Sequence, residues 1–168
     1  FKMIEDVKAE IRKFYERDLD QIKNLEKTAF IDYPWTEEDF IIFLRKQGKG
    51  HEIFVADWRE NIIGFMMVIK NQWNYEIVSI AVSPEFRRFG IATQLIDSIK
   101  STLIPYTRED IYTTVMQDNR DALDFFREQG FVALELEHNC HGEMTNIGCY
   151  KMKYEMAEMP LKEEYANR

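Results

Sequence analysis

The sequence predicts an α+β domain with a mixed, largely antiparallel sheet of seven strands, flanked by about four helices. Residues 53–82 contain three apolar runs separated by short turns, a pattern typical of an antiparallel meander. Stretches with apolar residues at helical spacing lie before and after this meander, and two more apolar runs follow near the end of the chain. The predicted order of elements is therefore β-α-α-β-β-β-α-β-α-β-β.

The chain before the meander is predicted to form one strand and two helices. Residues 9–16 alternate in polarity enough for a strand, and Asp18 follows with a side chain suited to cap a helix. Gln21 stands three residues later, as in a capping box, and helical spacing continues to near Phe30. Thr36 is predicted to cap the second helix, which ends before two nearby glycines.

The remaining elements follow the same patterns of spacing and turn residues. In order they are strands over 53–58, 62–70 and 73–82, a helix from 90 to about 103, a strand over 111–116, a helix from 119 to 130, and strands over 131–137 and 147–156. Asn119 is a good N-cap and Gly130 a good C-cap for the fourth helix. We predict one domain over 1–156 and a loose polar tail over 157–168.

Composition narrows the class of protein. The chain has 168 residues, of which 45% are hydrophobic and 31% charged, as in soluble globular proteins. A net charge of −8 opposes general binding to nucleic acid. It mildly favours a cationic amine as substrate, although ordinary solubility explains it more simply. No apolar run approaches the length of a membrane span and no leader pattern is seen, so we expect a cytoplasmic monomer or homodimer without a membrane partner.

A basic turn after the meander predicts an anion site. Residues 82–92 read Val-Ser-Pro-Glu-Phe-Arg-Arg-Phe-Gly-Ile-Ala, an apolar strand that runs through the turn into a helix. Such a turn points several backbone N–H groups at one spot, at the positive end of the helix. Arg87 and Arg88 add positive side chains, and Gly90 lets the chain approach a phosphate without a Cβ in the way.

Two motifs in this chain resemble those of the GNAT superfamily of N-acetyltransferases. The pattern Arg-x-x-Gly-x-Ala at 87–92 resembles the family's acetyl-CoA pyrophosphate motif, written Arg/Gln-x-x-Gly-x-Gly/Ala. Residues 119–131 are similar to its Asn-x-x-Ala-x-x-x-Tyr-x-x-x-Gly-Phe helix. The predicted order of elements is that of the GNAT fold over roughly 9–156. The resemblance implies an enzyme that transfers acetyl from acetyl-CoA to a primary amine.

The resemblance also implies which residues hold acetyl-CoA. The backbone of 88–92 is expected to bind the pyrophosphate, and the main chain of 80–82 is expected to pair with the pantetheine arm like an added strand. For Arg87 and Arg88 a solvated surface position is an equally good interpretation. The full set of expected contacts is Ile80, Ala81, Val82, Arg87, Arg88, Phe89, Gly90, Ile91, Ala92, Thr93, Asn119 and Phe126.

Acetyl transfer to an amine also needs a group that takes the amine's proton, directly or through water. Glu76 is the candidate base. Strand alternation predicts that it shares a face with Val78, Ile80 and Val82, an apolar setting that raises the pKa of a carboxyl group. It also stands where the histone-acetylating branch of the superfamily carries its base, in a similar Glu-Ile-Val-x-x-Ala stretch. The alternative is a strand-end glutamate exposed to water or paired with a lysine.

The proton donor to the departing thiolate is left open. The family uses a tyrosine of the second motif, and Phe126 stands at that position. Tyr150 and Tyr154 share a face of the last strand with methionines, which favours packing in the core. Water can protonate a thiolate whose pKa is about 8.5. Attack is expected to be direct, with strand amides polarising the carbonyl and without a metal.

The acceptor is predicted from a subgroup resemblance. Residues 79–93, together with Tyr33-Pro34-Trp35-Thr36, look like the archaeal and bacterial protein N-terminal acetyltransferases of the ribosomal-protein-alanine type. Expected substrate contacts are Tyr33, Trp35, His138 and Cys140. The chain departs from that subgroup at Thr114, where a Glu is usual, and at 139–140, where a Tyr-Tyr pair is usual. A polyamine-type acceptor, or a non-catalytic domain that binds CoA for sensing, therefore stays open as an alternative.

Histidines and cysteines lie close together near the end of the chain, at His138, Cys140, His141 and Cys149. Their spacing matches no closed zinc finger, so a polar loop is the simpler interpretation and no metal is expected. Two cysteines also do not make a disulfide framework.

Overall fold

The computed structural model describes residues 7–140 and 147–157. Its strands are β1 (Glu10–Lys13), β2 (His51–Trp58), β3 (Asn61–Lys70), β4 (Asn74–Val82), β5 (Asp110–Met116), β6 (Val132–Glu137) and β7 (Cys149–Glu155). Its helices are α1 (Leu19–Ala29), α2 (Glu37–Arg45), α3 (Ile91–Lys100) and α4 (Arg120–Glu128). The predicted order of elements is confirmed, and 3₁₀ turns are added at Glu16–Asp18 and Pro84–Phe86. The predicted tail lies outside the described residues from position 158 onward.

The sheet has the order β1-β2-β3-β4-β5-β7-β6. Every neighbouring pair is antiparallel except β4 and β5, which are parallel and joined through α3. The parallel pair needs this helical crossover because two parallel strands cannot be joined by a tight turn. The predicted mixed, largely antiparallel sheet of seven strands is confirmed.

Helices cover the two faces of the sheet, and each face has its own core. On one face α3 buries Ile91, Leu95 and Ile99 in a cluster that also takes residues of α4. On the other face α1 and α2 bury Ile22 and Phe43 against β2 and β3. Within the described residues, no helix is long and apolar enough to cross a membrane.

The centre of the sheet opens because β4 carries a bulge. The pairing of β3 with β4 skips Val78, which leaves one extra residue in β4. The parallel pairing of β4 with β5 ends at Ile77 and Thr113, next to this bulge. A bulge bends a strand and ends regular pairing, so β4 and β5 diverge beyond this point and leave a cleft between them.

The start of α1 differs from the prediction. Asp18 precedes the helix, but its side chain makes no cap; it accepts hydrogen bonds from the Arg12 guanidinium at 2.8 and 3.1 Å and from the Tyr15 amide at 2.7 Å. Gln21 accepts from the Ile62 amide at 2.9 Å. The predicted capping box is wrong because partners distant in sequence or in the preceding turn take both side chains. Burial alone raises the pKa of Asp18, but the Arg12 and Tyr15 hydrogen bonds outweigh it and the pKa is lowered.

Two other predicted caps are confirmed. The Asp39 amide donates to Thr36 Oγ1 at 3.2 Å, and the Thr36 amide donates to the Asp39 carboxylate at 2.8 Å, which forms a capping box at α2. The Ala122 amide donates to Asn119 Oδ1 at 3.2 Å at the start of α4. Both caps use partners three residues apart, so local sequence is enough to predict them.

Cys140 and Cys149 form a disulfide, with their Cα atoms 6.0 Å apart. The sequence does not predict it, because the bond depends on the register that pairs Glu137 with Cys149 across β6 and β7. The bridge closes the loop between these strands, of which residues 141–146 lie outside the described part. Disulfides are uncommon in the cytosol of mesophiles, so the cytoplasmic location stays a prediction.

Candidate active site

A groove of about 850 Å³ lies along the outer part of the cleft. We call it the α3 groove because the first turn of α3 forms one wall, with the end of β4 and the start of α4 as the others. Of the residues predicted to hold acetyl-CoA, all but Phe89 line it. Phe89 packs instead against the core beneath α3. The groove is completed by Ala29, Phe30, Phe86, Asp121, Ala122 and Phe125.

The wall at α3 is made largely of backbone. Arg88 and Gly90 both have a φ of 73°, which turns the chain sharply into the helix. No side chain caps α3, and the first helical hydrogen bond is from the Gln94 amide to the Gly90 carbonyl at 3.0 Å. The amides of 91–93 therefore have no partner within the helix. Within residues 7–140 and 147–157, no atom lies within 4 Å of a Cβ built on Gly90, so this space admits an anionic group such as a pyrophosphate.

The second wall is the edge of β4. Beyond Ile77 this strand pairs with β3 on one side, and β5 no longer pairs with it on the other. An unpaired strand edge offers N–H and C=O groups to an extended ligand. Its amides are also placed to polarise a carbonyl group that enters the cleft. Arg87 and Arg88 are exposed at the mouth of the groove.

A second, smaller cavity of about 210 Å³ continues from the groove toward the other face of the sheet. We call it the α1 cavity. It is lined by Glu26 and Phe30 of α1, Tyr33 and Trp35 of the following loop, 77–80 of β4, 113–116 of β5, and Asn119, Ala122 and Phe126. Phe30, Ile80, Asn119, Ala122 and Phe126 also line the α3 groove. Two molecules that enter from opposite faces therefore meet where β4 and β5 diverge.

The α1 cavity contains a buried carboxyl group, Glu26, whose side chain is fully enclosed. Its Oε1 accepts a hydrogen bond from the Trp35 amide at 2.6 Å, whereas Oε2 has no hydrogen-bond partner among the described residues. Burial raises the pKa of Glu26; the Trp35 hydrogen bond and Lys27 act in the opposite direction, and the negative charge of Asp39 raises it further. Sequence reasoning misses this residue. The sequence does contain a signal for it: Glu26 lies four positions after Ile22, so it falls on the apolar stripe of α1 and is expected to be buried.

Glu76, the predicted base, occupies a different place. It is exposed on β4 and does not line the α1 cavity. The prediction that it shares a face with Val78, Ile80 and Val82 is right for Val78, which packs on the α1 side of the sheet. It is wrong for Ile80 and Val82, because strand alternation continues only as far as the bulge. Before the bulge Ile77 packs in the core beneath α3, and after it Ile80 and Val82 pack there. Glu76 therefore points to the opposite face, without the expected apolar surroundings, and its role as base stays a prediction.

The predicted acceptor contacts fall into two groups. Tyr33 and Trp35 line the α1 cavity. Trp35 also packs against Phe40 and Phe43, with ring centroids 5.2 and 5.7 Å away, so it both supports the loop and forms the cavity wall. Thr114, which stands where the subgroup has a glutamate, lines the cavity too.

His138 and Cys140 do not line this cavity. They lie at the start of the β6–β7 loop, and neither is among the residues that form the groove or the cavity. Cys140 is bonded to Cys149. Phe126, at the position of the family's tyrosine, is buried where the two spaces meet. Its ring has no proton to donate, as the sequence indicates.

Residues 19–131 match the acetyltransferase (GNAT) family. Among curated proteins, the chain is 28% identical over 134 residues to an N-alpha-acetyltransferase of Sulfolobus acidocaldarius, a match that covers 71% of this chain and 77% of that protein. It is 29% identical over 129 residues to an N-alpha-acetyltransferase of Saccharolobus solfataricus, which covers 68% of this chain and 74% of that one.

Solved structures share the fold at lower identity. Ard1 from Thermoplasma volcanium superposes with a TM-score of 0.75 at 21% identity, and the match covers 89% of this chain and 99% of that one. A ribosomal-protein alanine N-acetyltransferase from Escherichia coli gives a TM-score of 0.76 at 18% identity, with 92% and 98% covered. At these identities the likeness concerns the fold alone.

Proposed function

Because the chain belongs to the acetyltransferase (GNAT) family and is an acetyl-CoA-dependent N-acetyltransferase, we propose that its acceptor is the α-amine of a protein N-terminus. The observation that carries this proposal is that relatives matching more than two thirds of the chain are N-alpha-acetyltransferases. The subgroup resemblance at Tyr33-Pro34-Trp35-Thr36 points the same way, because Tyr33 and Trp35 line the cavity that an acceptor enters.

The α3 groove fits the donor. The unpaired edge of β4 suits the pantetheine arm, which can pair with it as an added strand. The amides at the start of α3, with Arg87 and Arg88 nearby, suit the pyrophosphate. This arrangement brings the acetyl group to Ile80, beside the α1 cavity.

The α1 cavity fits the acceptor. Its volume of about 210 Å³ lies below the range of about 300–1,000 Å³ typical of drug-sized ligands. It therefore suits the first residue of a peptide better than a bulky amino sugar such as an aminoglycoside. The peptide chain that follows leaves along the loop at Tyr33 and Trp35.

The chemistry is a direct attack of the amine nitrogen on the thioester carbonyl. Amides of β4 polarise that carbonyl. Glu76 can take part as a base only through water, because it is exposed and outside the cavity. Phe126 cannot protonate the leaving thiolate, so we propose that solvent does so, which is feasible at a thiol pKa of about 8.5.

An assay of thiol release with acetyl-CoA and a panel of acceptors tests the proposal. The panel holds peptides with different free N-termini, the same peptides with blocked N-termini and an internal lysine, and linear polyamines. We expect turnover on the free N-termini alone, with mass spectrometry placing the acetyl group on the α-nitrogen. Turnover confined to polyamines, or CoA binding without turnover on any amine, would contradict it.

A further inference from the structure

The α1 cavity has one carboxylate among its described lining residues, and it belongs to Glu26. We propose that Glu26 is the catalytic base that takes the proton of the acceptor amine, an assignment that rests on the proposed function. Other polar side chains of the cavity, such as Ser79, Thr113 and Thr114, are hydroxyls without useful basicity at neutral pH.

The two oxygens of Glu26 have different surroundings. Oε1 is fixed by the Trp35 amide at 2.6 Å, which ties α1 to the loop that borders the cavity. Oε2 is buried and accepts no hydrogen bond from the part of the chain that the structure describes. A buried polar atom without a partner costs folding free energy, and an ammonium group in the cavity supplies the missing donor. The Trp35 bond also fixes the carboxylate plane, so Oε2 is held in place before the substrate arrives.

The surroundings of Glu26 raise the pKa of its carboxyl group and so make its carboxylate a stronger proton acceptor. Asp39 of α2 and Lys27 of α1 are the charged groups that act on it, in opposite directions. The strands packed on α1 bring apolar side chains to this face, among them Met67, Val78 and Ala81. Glu76 is the charged residue of β4 on that face, and it is exposed. Burial therefore dominates, and a carboxylate whose pKa is raised by burial is better matched to an amine.

Glu26 takes the first of the two protons that the acceptor nitrogen loses. The acceptor enters as an ammonium ion and gives one proton to Glu26 Oε2, which leaves a neutral amine. The nitrogen lone pair forms the C–N bond at the acetyl carbon, the C–S bond breaks, and its electron pair leaves on the thiolate. The nitrogen loses its second proton to solvent, and solvent supplies one proton to the thiolate to give the thiol. Glu26 then releases its proton to solvent, so that ammonium and thioester yield amide, thiol and one proton.

The test is the pH dependence of kcat/KM for a peptide acceptor in the wild type and in Glu26→Gln. Glutamine keeps an oxygen for the Trp35 amide but cannot take a proton. We expect kcat/KM at pH 7 to fall about 100-fold, within the range typical of a lost general base. The loss should shrink as pH rises above the pKa of about 8 of the peptide's own amine, where neutral acceptor is abundant.

Control measurements distinguish a role of Glu26 as the base from a purely structural role. Glu38→Gln changes an exposed carboxylate on α2 and should leave the profile unchanged. CoA affinity of Glu26→Gln, measured by calorimetry, should equal that of the wild type. A Glu26→Gln profile parallel to the wild type at every pH, or a shift seen in Glu76→Gln instead, would overturn the assignment.

The wild type alone gives a second measurement that does not depend on any variant. If Glu26 accepts the proton, kcat/KM declines on the acid side with a midpoint below the pKa of the peptide's α-amine. A midpoint equal to that pKa would overturn the inference, while the proposed function would stand. Absence of peptide turnover by the wild type would overturn the proposed function, and this inference with it.

Discussion

The α3 groove and the α1 cavity share Phe30, Ile80 and Phe126, yet they are built by different means. The groove uses backbone: an unpaired strand edge and the free amides of a helix that begins at Gly90. The cavity uses side chains: a buried carboxyl group, aromatic rings of a loop and hydroxyls of β5. A backbone site needs only the right turn and tolerates variation in its side chains. A side-chain site changes with each substitution, which suits it to the choice of acceptor.

This contrast makes the two spaces separable by mutation. Changes in the backbone of the turn should weaken binding of acetyl-CoA and spare the acceptor. Changes in the side chains of the α1 cavity should do the reverse.

Gly90→Val should weaken acetyl-CoA binding by about 5- to 30-fold. Gly90 has a φ of 73°, and a residue with a Cβ in that region costs about 1–2 kcal/mol; each 1.4 kcal/mol is tenfold in affinity. The turn is expected to relax and withdraw the amides of α3. Calorimetry with CoA measures the loss, and the KM for peptide should stay constant.

Gly48→Val is the matched control for that variant. Gly48 has a φ of 76° and open space around its Cβ position, but it lies between α2 and β2 and lines neither the groove nor the cavity. It should lower stability without changing CoA affinity. Equal losses of CoA affinity in both variants would show that general strain, rather than the turn at α3, is responsible.

Tyr33→Ala should raise the KM for peptide by about 2- to 12-fold, in line with an aromatic contact of about 0.5–1.5 kcal/mol. Tyr33 lines the α1 cavity and does not line the α3 groove. The KM for acetyl-CoA should therefore be unchanged. Tyr106→Ala, at an exposed tyrosine near the other end of β5, is the control. A rise in both KM values for Tyr33→Ala would break the separation of the two spaces.

Glu26→Gln should change how stability depends on pH. The pKa of Glu26 is raised in the fold by burial, so the folded state holds this proton more tightly than the unfolded chain. Above the unfolded value of about 4.3, wild-type stability therefore falls as pH rises through the folded pKa. The variant lacks this loss.

Urea denaturation across pH 4 to 8 measures this effect. The stability of Glu26→Gln relative to the wild type should increase with pH, and Glu38→Gln should show no such trend. A difference that is constant over the whole pH range would mean that Glu26 does not titrate abnormally in the fold.

Helix caps whose partners are close in sequence are predictable from the sequence, whereas hydrogen bonds between residues distant in sequence are not. Thr36 and Asn119 are identified as caps because their partners lie three residues away. Asp18 and Gln21 have the same local pattern, but Arg12 and the Ile62 amide bind them instead. Capping propensity depends on the local sequence alone, so it does not show that residues distant in sequence compete for these two side chains.

The same distinction separates the two halves of the site. Glycine and the basic turn predict the groove because they fix backbone geometry directly. The α1 cavity depends on a bulge at Val78, which reverses the faces of β4, and on how α1 packs against the sheet. Alternation counted through Val78 draws attention to Glu76, whereas the packing of α1 places Glu26 in the cavity. A sequence of alternating residues carries no mark of the bulge.

We propose that donor and acceptor meet between the α3 groove and the α1 cavity, with Glu26 at the acceptor nitrogen. A crystal structure of the protein with a peptide joined through its α-nitrogen to the acetyl group of CoA tests this most directly. We predict the pyrophosphate at the first turn of α3 and the α-nitrogen in the α1 cavity, about 3 Å from Glu26 Oε2. A peptide that leaves the cleft elsewhere, with the α1 cavity unfilled, would contradict the account.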